Sequence, residues 1–157
     1  MPVKQMKPGD IQEVSRIVTA AFLDSIAEGL SEKGIATFKE LSSPEAFARR
    51  MNEDNCMFVY EEQGQIMGMI ELKEGRHVAM MFVSPIYQNQ GVGRELIQVA
   101  LSHSRVQSVT VSAALPSVAA YQRYGFEVVG VEQEKQGLRY IPMEIDLTRH
   151  AGKRDSK

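Results

Sequence analysis

Residues 83–94 read Val83-Ser84-Pro85-Ile86-Tyr87-Gln88-Asn89-Gln90-Gly91-Val92-Gly93-Arg94, and this stretch decides the fold. Before it lies the apolar run His77 to Val83, a strand of the kind buried on both faces in the middle of a sheet, which Pro85 stops. After it come Val92, Leu96, Val99 and Ala100, spaced i, i+4, i+7 and i+8, which predict a core-facing helix to about Ser104. A buried strand thus ends, and a helix begins among glycines. Bare backbone N–H groups at such a helix start form an anion site, helped by the helix dipole. Glycines there let a phosphate approach the main chain and supply unusual dihedrals. No Gly-Lys-Ser/Thr follows, so this is not a Walker A loop. Two mid-chain glycines do not make the three-glycine dinucleotide fingerprint either. On the glycines alone, a plain strand-to-helix turn remains an equal alternative.

Working outward, Val3 to Lys7 reads as a short first strand, broken by Pro8-Gly9-Asp10. Asp10 with Glu13 resembles a capping box, and Ile11, Val14, Ile17, Val18, Ala21 and Phe22 predict a helix from Ile11 to about Glu28. Gly29 to Leu41 shows no clear period. Ser42-Ser43-Pro44-Glu45 signals a helix start, with a short helix to about Asn52 burying Phe47 and Met51. Met57 to Glu61 and Gln65 to Leu72 flank Gln63-Gly64 as a hairpin, and Gly75 marks the next turn. Beyond the central helix, Val109 and Val111 alternate with polar residues as a strand. Pro116 to Tyr124 is a short helix closed by Gly125, and Phe126 to Val131 and Leu138 to Leu147 are strands joined through Gly137. The predicted order is β-α-α-β-β-β-α-β-α-β-β, an α/β chain whose natural packing is a mixed sheet with helices on both faces. Residues 1–148 are expected to form one domain, with 149–157 a polar, frayed tail.

Composition narrows the function. The 157 residues can bury roughly two-thirds of their unfolded surface. A net charge of −2, from 18 basic and 20 acidic residues, argues against a general nucleic-acid binder. Cys56 is the single cysteine, so there is no internal disulfide and no cysteine zinc site, and a cytoplasmic setting fits. The longest apolar run, Val78 to Val83, is too short to span a bilayer, and the N-terminus has no signal-peptide h-region. No metal and no membrane partner are expected. A homodimer is expected on base rate alone.

The spacing Gln88-x-x-Gly91-x-Gly93 resembles the Q/R-x-x-G-x-G/A motif of the GNAT superfamily of acyl-CoA-dependent N-acyltransferases. Met81-Phe82-Val83-Ser84-Pro85 and Tyr87 stand in register with the L-x-V-x-P-x-(Y/F) run that often leads into that motif. Downstream, Tyr121-Gln122-Arg123-Tyr124-Gly125-Phe126 is similar to the family's Y-x-x-x-G-F segment. The element order matches across about residues 3–147. The resemblance implies a central mixed, mostly antiparallel, twisted sheet with helices on both faces, splayed between its two central strands. It also implies an N-acetyltransferase that moves an acetyl group from acetyl-CoA to a primary amine of a small molecule or peptide.

By motif matching, the resemblance makes Gln88, Asn89, Gln90, Gly91, Val92, Gly93 and Arg94 the candidates to hold the pyrophosphate of coenzyme A, mostly through main chain. Phe82 and Val83 would offer backbone hydrogen bonds to the pantetheine arm. Ser112, a further candidate cofactor contact, stands near the place where the family often has Asn, with a shorter reach. Tyr121 is the candidate acid for the leaving thiolate, since a phenol with pKa about 10 stays protonated at pH 7. Tyr124, nearer the helix end, reads as structural. His77 falls where histone-acetylating relatives carry a Glu, and a neutral His can take the amine proton near pH 7. Glu71 on the preceding strand, or water, are the other candidate bases. Asp24, Glu28 and Glu32, at i, i+4, i+8, would form an acidic stripe that draws a cationic amine. Two other functions stay open: a catalytically silent acyl-CoA-binding or sensing module, and an unrelated nucleotide-binding α/β protein. The acceptor, the acyl length and the base are not fixed by these residues.

Overall fold

The computed structural model describes residues 2–148, so the tail expected over 149–157 lies outside the described residues. The chain runs through β1 (Val3–Gln5), α1 (Ile11–Ser25), α2 (Glu32–Leu41), α3 (Pro44–Met51), β2 (Asn55–Glu62), β3 (Gln65–Lys73) and β4 (His77–Val83). It continues through α4 (Val92–Leu101), β5 (Ser108–Ala114), α5 (Val118–Arg123), β6 (Glu127–Val128), β7 (Gln133–Lys135) and β8 (Leu138–Asp146). The strands form one eight-stranded sheet in the order β1-β2-β3-β4-β5-β8-β6, with β7 paired to β8. Only β4 and β5 pair in parallel; the other described pairs are antiparallel.

Each face of the sheet carries its own core. On one, Val92, Leu96, Ile97 and Ala100 of α4 and Tyr121 of α5 pack on Phe58, Ile70, Leu72, Val78, Val109 and Met143. On the other, Val14, Val18 and Phe22 of α1, Phe38 of α2 and Phe47 of α3 cover Met57, Val59, Met69 and Met80. Fully buried side chains such as Phe22, Phe47 and Leu96 each contribute roughly 1.5–3 kcal/mol relative to exposure. The expected mixed sheet with helices on both faces is therefore the observed one.

Several local expectations shift. α1 stops at Ser25, three residues short of the predicted end. The amides of Ile26 and Ala27 both bond to the Phe22 carbonyl (2.9 Å each), and the chain reverses at Gly29. It re-enters a helix at α2, where Ser31 Oγ accepts from the Gly34 N–H (3.2 Å). Asp24, Glu28 and Glu32 consequently do not share one helix, and the acidic stripe does not form. Asp10 accepts from the Lys7 N–H (2.9 Å) and caps the preceding turn instead of α1. The start of α3 is as read, with Ser43 Oγ accepting from the Ala46 N–H (3.1 Å) ahead of Pro44. The strand expected over Phe126 to Val131 shrinks to β6, and Gln133–Lys135 adds β7, a polar strand made by pairing with β8.

The largest correction concerns β4. It is not buried on both faces, because Ala79 is exposed and Met81, Phe82 and Val83 are half-buried. The cause is topological. β5 pairs with β4 only at His77↔Thr110 and Val78↔Val111, after which the two strands part. On the β3 side, Met80 faces Glu71 and Val78 faces Leu72, which leaves Ala79 as a bulge with no register partner on either neighbour. The expected splay is therefore present, and it opens the sheet where the strand was expected to be sealed.

Candidate active site

The glycine turn lies at the end of β4. Gln88 Nε2 donates to the Val83 carbonyl (3.2 Å) and Gln90 Nε2 to the Ile86 carbonyl (3.3 Å), so both glutamines brace the loop. Asn89 (φ 64°) and Gly91 (φ 85°) adopt left-handed conformations. The first bond of α4 runs from the Glu95 N–H to the Gly91 carbonyl (3.1 Å), which leaves the amides of Val92, Gly93 and Arg94 as open first-turn donors. Val92 is buried in the core and can contribute main chain alone. A Cβ on Gly91 would meet no described atom within 4 Å, whereas one on Gly93 would run into the Tyr124 hydroxyl. The turn therefore presents bare backbone to an open space.

That space is a cleft of about 460 Å³ at the end of β4, bordered by Phe82, Val83, Gln88, Asn89, Gly91, Gly93 and Arg94. Arg94 lies over the Tyr124 ring, 5.6 Å from its centroid, and Arg123 joins it at the border. Two guanidinium groups beside open amides at a helix start suit a pyrophosphate, so the residues present fit coenzyme A. Sequence reading missed Arg123, although it stands inside the Tyr121–Phe126 segment that was singled out.

Tyr121 projects from α5, whose end is set by Gly125 and by the Phe126 N–H bonding back to the Tyr121 carbonyl (3.0 Å). Its ring meets Tyr124 and Phe126 edge-on at 6.0 and 5.4 Å. The residue is 5% exposed, yet it borders both the first cleft and a second one of about 510 Å³. Burial, with Tyr124 adding to it, pushes its phenol well above the ordinary value, so it holds its proton throughout the working range. Its hydroxyl makes no hydrogen bond to another described residue.

The second cleft runs along β4 from His77 to Phe82 and shares Ile26, Met81, Phe82, Ser117 and Tyr121 with the first. Its outer side is closed where α2 docks on the β7–β8 turn. Thr37 Oγ1 donates to the Gln136 carbonyl (2.8 Å), and a Cβ on either Gly34 or Gly137 would strike the other's backbone. His77 borders this cleft, and its Nδ1 sits 2.7 Å from Thr110 Oγ1, which leaves Nε2 for another partner. Burial, then Arg76 and Lys73, lower its pKa, so the ring is neutral near pH 7. Ser112 borders the second cleft and not the first, and Gln90 borders neither.

Glu71 is placed elsewhere. It is 1% exposed and held by Arg50, whose Nε lies 3.2 and 3.0 Å from its two oxygens and whose Nη1 donates to the Leu41 carbonyl (2.8 Å). Burial raises its pKa despite the guanidinium. The pair ties α3 to β3, and Glu71 borders neither cleft. No described carboxylate borders either one. Among the described residues there is also no group of three or more His, Cys, Asp or Glu that could hold a metal ion. No described helix is long and apolar enough to cross a membrane.

Other proteins share this architecture. A GCN5-related N-acetyltransferase from Rhodopseudomonas palustris superimposes with a TM-score of 0.80 at 21% identity, covering 92% of this chain and 94% of that one. The PaiA N-acetyltransferase of Thermoplasma acidophilum, solved in complex with coenzyme A, gives 0.73 at 19% identity, covering 92% and 97%. At these identities the likeness concerns the fold. In sequence, the peptidyl-lysine N-acetyltransferase YiaC of Escherichia coli (strain K12) is 34% identical over 73 residues, a match that spans 46% of this chain and 50% of that relative. The sequence model of the acetyltransferase (GNAT) domain matches residues 26–147, from the end of α1 through β8. With the parted strands and the glycine turn both inside that match, the chain belongs to the GNAT acetyltransferase family.

Proposed function

We propose that this protein transfers an acetyl group from acetyl-CoA to a primary amine by direct attack. The observation that carries the reading is the meeting of two clefts at Tyr121, one walled by open main-chain amides and arginines, the other by side chains. The name of the YiaC relative, a peptidyl-lysine N-acetyltransferase, supports an amine acceptor. When bound, acetyl-CoA supplies a thioester-activated acetyl group. The amides of Gly91 to Arg94, with Arg94 and Arg123, hold its pyrophosphate, and the main chain of Phe82 and Val83 flanks its arm. Asn89 and Gln88 shape the turn. Ser112 acts from the acceptor side.

His77 or water takes the proton that the amine sheds as the C–N bond forms. Tyr121 gives a proton to sulfur as the C–S bond breaks, and solvent restores it. Glu71 is not retained as a base, because it is buried in an ion pair with Arg50 and borders neither cleft. The main chain at the Ala79 bulge, without a strand partner, is the candidate donor for the charge that develops on oxygen. The single free Cys56 supports a reducing, cytoplasmic setting.

The test is an amine panel with acetyl-CoA, following thiol release and identifying acetylated amine by mass spectrometry. Acetylated amine is the expected product. Tight acetyl-CoA binding without transfer to any amine would support the silent module instead, and preference for ATP over acetyl-CoA would support a nucleotide binder.

A further inference from the structure

The charge around the second cleft is unlike that of the chain as a whole. The protein carries 20 acidic residues and a net charge of −2, yet no described carboxylate borders this cleft. Three cations do. Arg139 is already answered by Glu132, 2.8 Å from its Nε and 2.6 Å from its Nη2. Lys73, at the end of β3, and Lys135, on β7, form no ion pair within 4 Å with a described residue. Their strands lie on opposite sides of β4 and β5, with Lys73 level with His77, where those two strands are still paired, and Lys135 opposite Leu138, past the end of β5.

The same cleft has a continuous apolar wall. Phe22 stacks on Phe38 at 4.0 Å, and Phe38 meets Phe82 at 5.3 Å, which links α1, α2 and β4. At about 510 Å³ the space suits a small molecule.

We infer that the amine acceptor is a small molecule with an apolar body and an anionic group, such as a carboxylate, drawn into the cleft by Lys73 and Lys135 at its border. This rests on the acyl-transfer reading above and names its substrate class. A polycation would bring like charge against both lysines with no carboxylate to receive it, and such juxtaposition disfavours a partner strongly. An anionic group would complement them. Nearby cations also disfavour the ammonium form of the incoming amine, so they supply the neutral nucleophile that the reaction needs.

The experiment compares L-phenylalanine, L-phenylalaninamide and spermidine as acceptors with acetyl-CoA, in the parent protein and in Lys73→Glu and Lys135→Glu. Phenylalaninamide keeps the ring and the amine and lacks the carboxylate. Its amine is less basic, so a preference for phenylalanine runs against intrinsic reactivity. The expected result is a kcat/KM about tenfold higher for phenylalanine, a preference that each reversal lowers by about tenfold and that weakens with added salt. Calorimetric titration of N-acetyl-L-phenylalanine supplies a readout independent of turnover, with weaker binding expected in both variants. Circular dichroism confirms that the variants are folded. Should spermidine or the amide react as well as phenylalanine, with the reversals making no difference, the inference fails while acyl transfer stands. Should no amine react, the acyl-transfer reading fails and takes the inference with it.

Discussion

The two clefts that meet at Tyr121 are built from different parts of the chain in different ways. The first is centred on one continuous stretch, Phe82 to Arg94, whose turn offers open main-chain amides, and is completed by α5 and the end of α1. The second is side chains gathered from α1, α2, β3, β4, β5, β7 and β8. A main-chain site constrains the sequence tightly, since Gly91 stands at φ 85° and Gly93 lies against the Tyr124 hydroxyl. A side-chain site leaves no such mark, because its members are far apart in sequence and each alone is an ordinary lysine or phenylalanine. Tyr121 belongs to both, and removing its hydroxyl gives the largest expected effect.

In Tyr121→Phe the ring and its edge contacts with Tyr124 and Phe126 remain, so stability should hold. Loss of a general acid should slow single-turnover transfer by roughly 10²–10⁴-fold while coenzyme A affinity changes little. A thiolate can leave unprotonated, which places the effect toward the lower end. A rate within about twofold of the parent would show Tyr121 to be packing, since a general acid contributes far more.

Next in size is Gly91→Val. A Cβ there meets no described atom, so the fold tolerates its volume, but the left-handed backbone strains a β-branched residue. The side chain would occupy the space before the open amides. Calorimetric titration with coenzyme A should show affinity falling about ten- to a hundredfold, the worth of one or two charge-assisted hydrogen bonds. Unchanged affinity in a folded variant would break the contrast between the clefts at its first term.

The same contrast explains what the sequence revealed. The hairpin of β2 and β3, the strand β4 and the helix α4 announce themselves by period, because their burial repeats locally. α2 does not, as only Gly34 and Phe38 are buried in it and the rest is held by docking on the β7–β8 turn. β7 is three polar residues whose strand character comes wholly from β8. The opening beside Ala79 is a property of where β5 leaves β4, and residues 77–83 alone read as a sealed strand. Glu71 looked available because its partner Arg50 lies 21 residues away, on a helix whose docking no local pattern declares.

His77 tests the side-chain cleft by pH. Its pKa is lowered by burial, Arg76 and Lys73, so the neutral form persists below the usual value of 6.5. If His77 is the base, kcat/KM falls as pH drops through that lowered pKa, in addition to the fall from protonating the amine. The acid limb of log kcat/KM should therefore approach a slope near 2, and His77→Ala should reduce it to near 1. A slope of 1 in the parent would assign the proton to water.

The smallest expected effect is the most pointed about the first cleft. Asn89 borders it and stands at φ 64°, so a side-chain reading would give it a contact with the ligand, and a main-chain reading gives it only a shape. Asn89→Gly removes the side chain and keeps the left-handed conformation at no steric cost. Asn89→Ala removes nearly the same atoms but makes that conformation about 1 kcal/mol less favourable. If main chain does the binding, Asn89→Gly should hold coenzyme A affinity within about threefold, well under the worth of one charge-assisted hydrogen bond. Asn89→Ala should lower the melting temperature by a few degrees, as expected for about 1 kcal/mol in a domain of this size. Equal and large losses of affinity in both variants would make the Asn89 side chain a ligand contact, and the division between a main-chain cleft and a side-chain cleft would have to be redrawn.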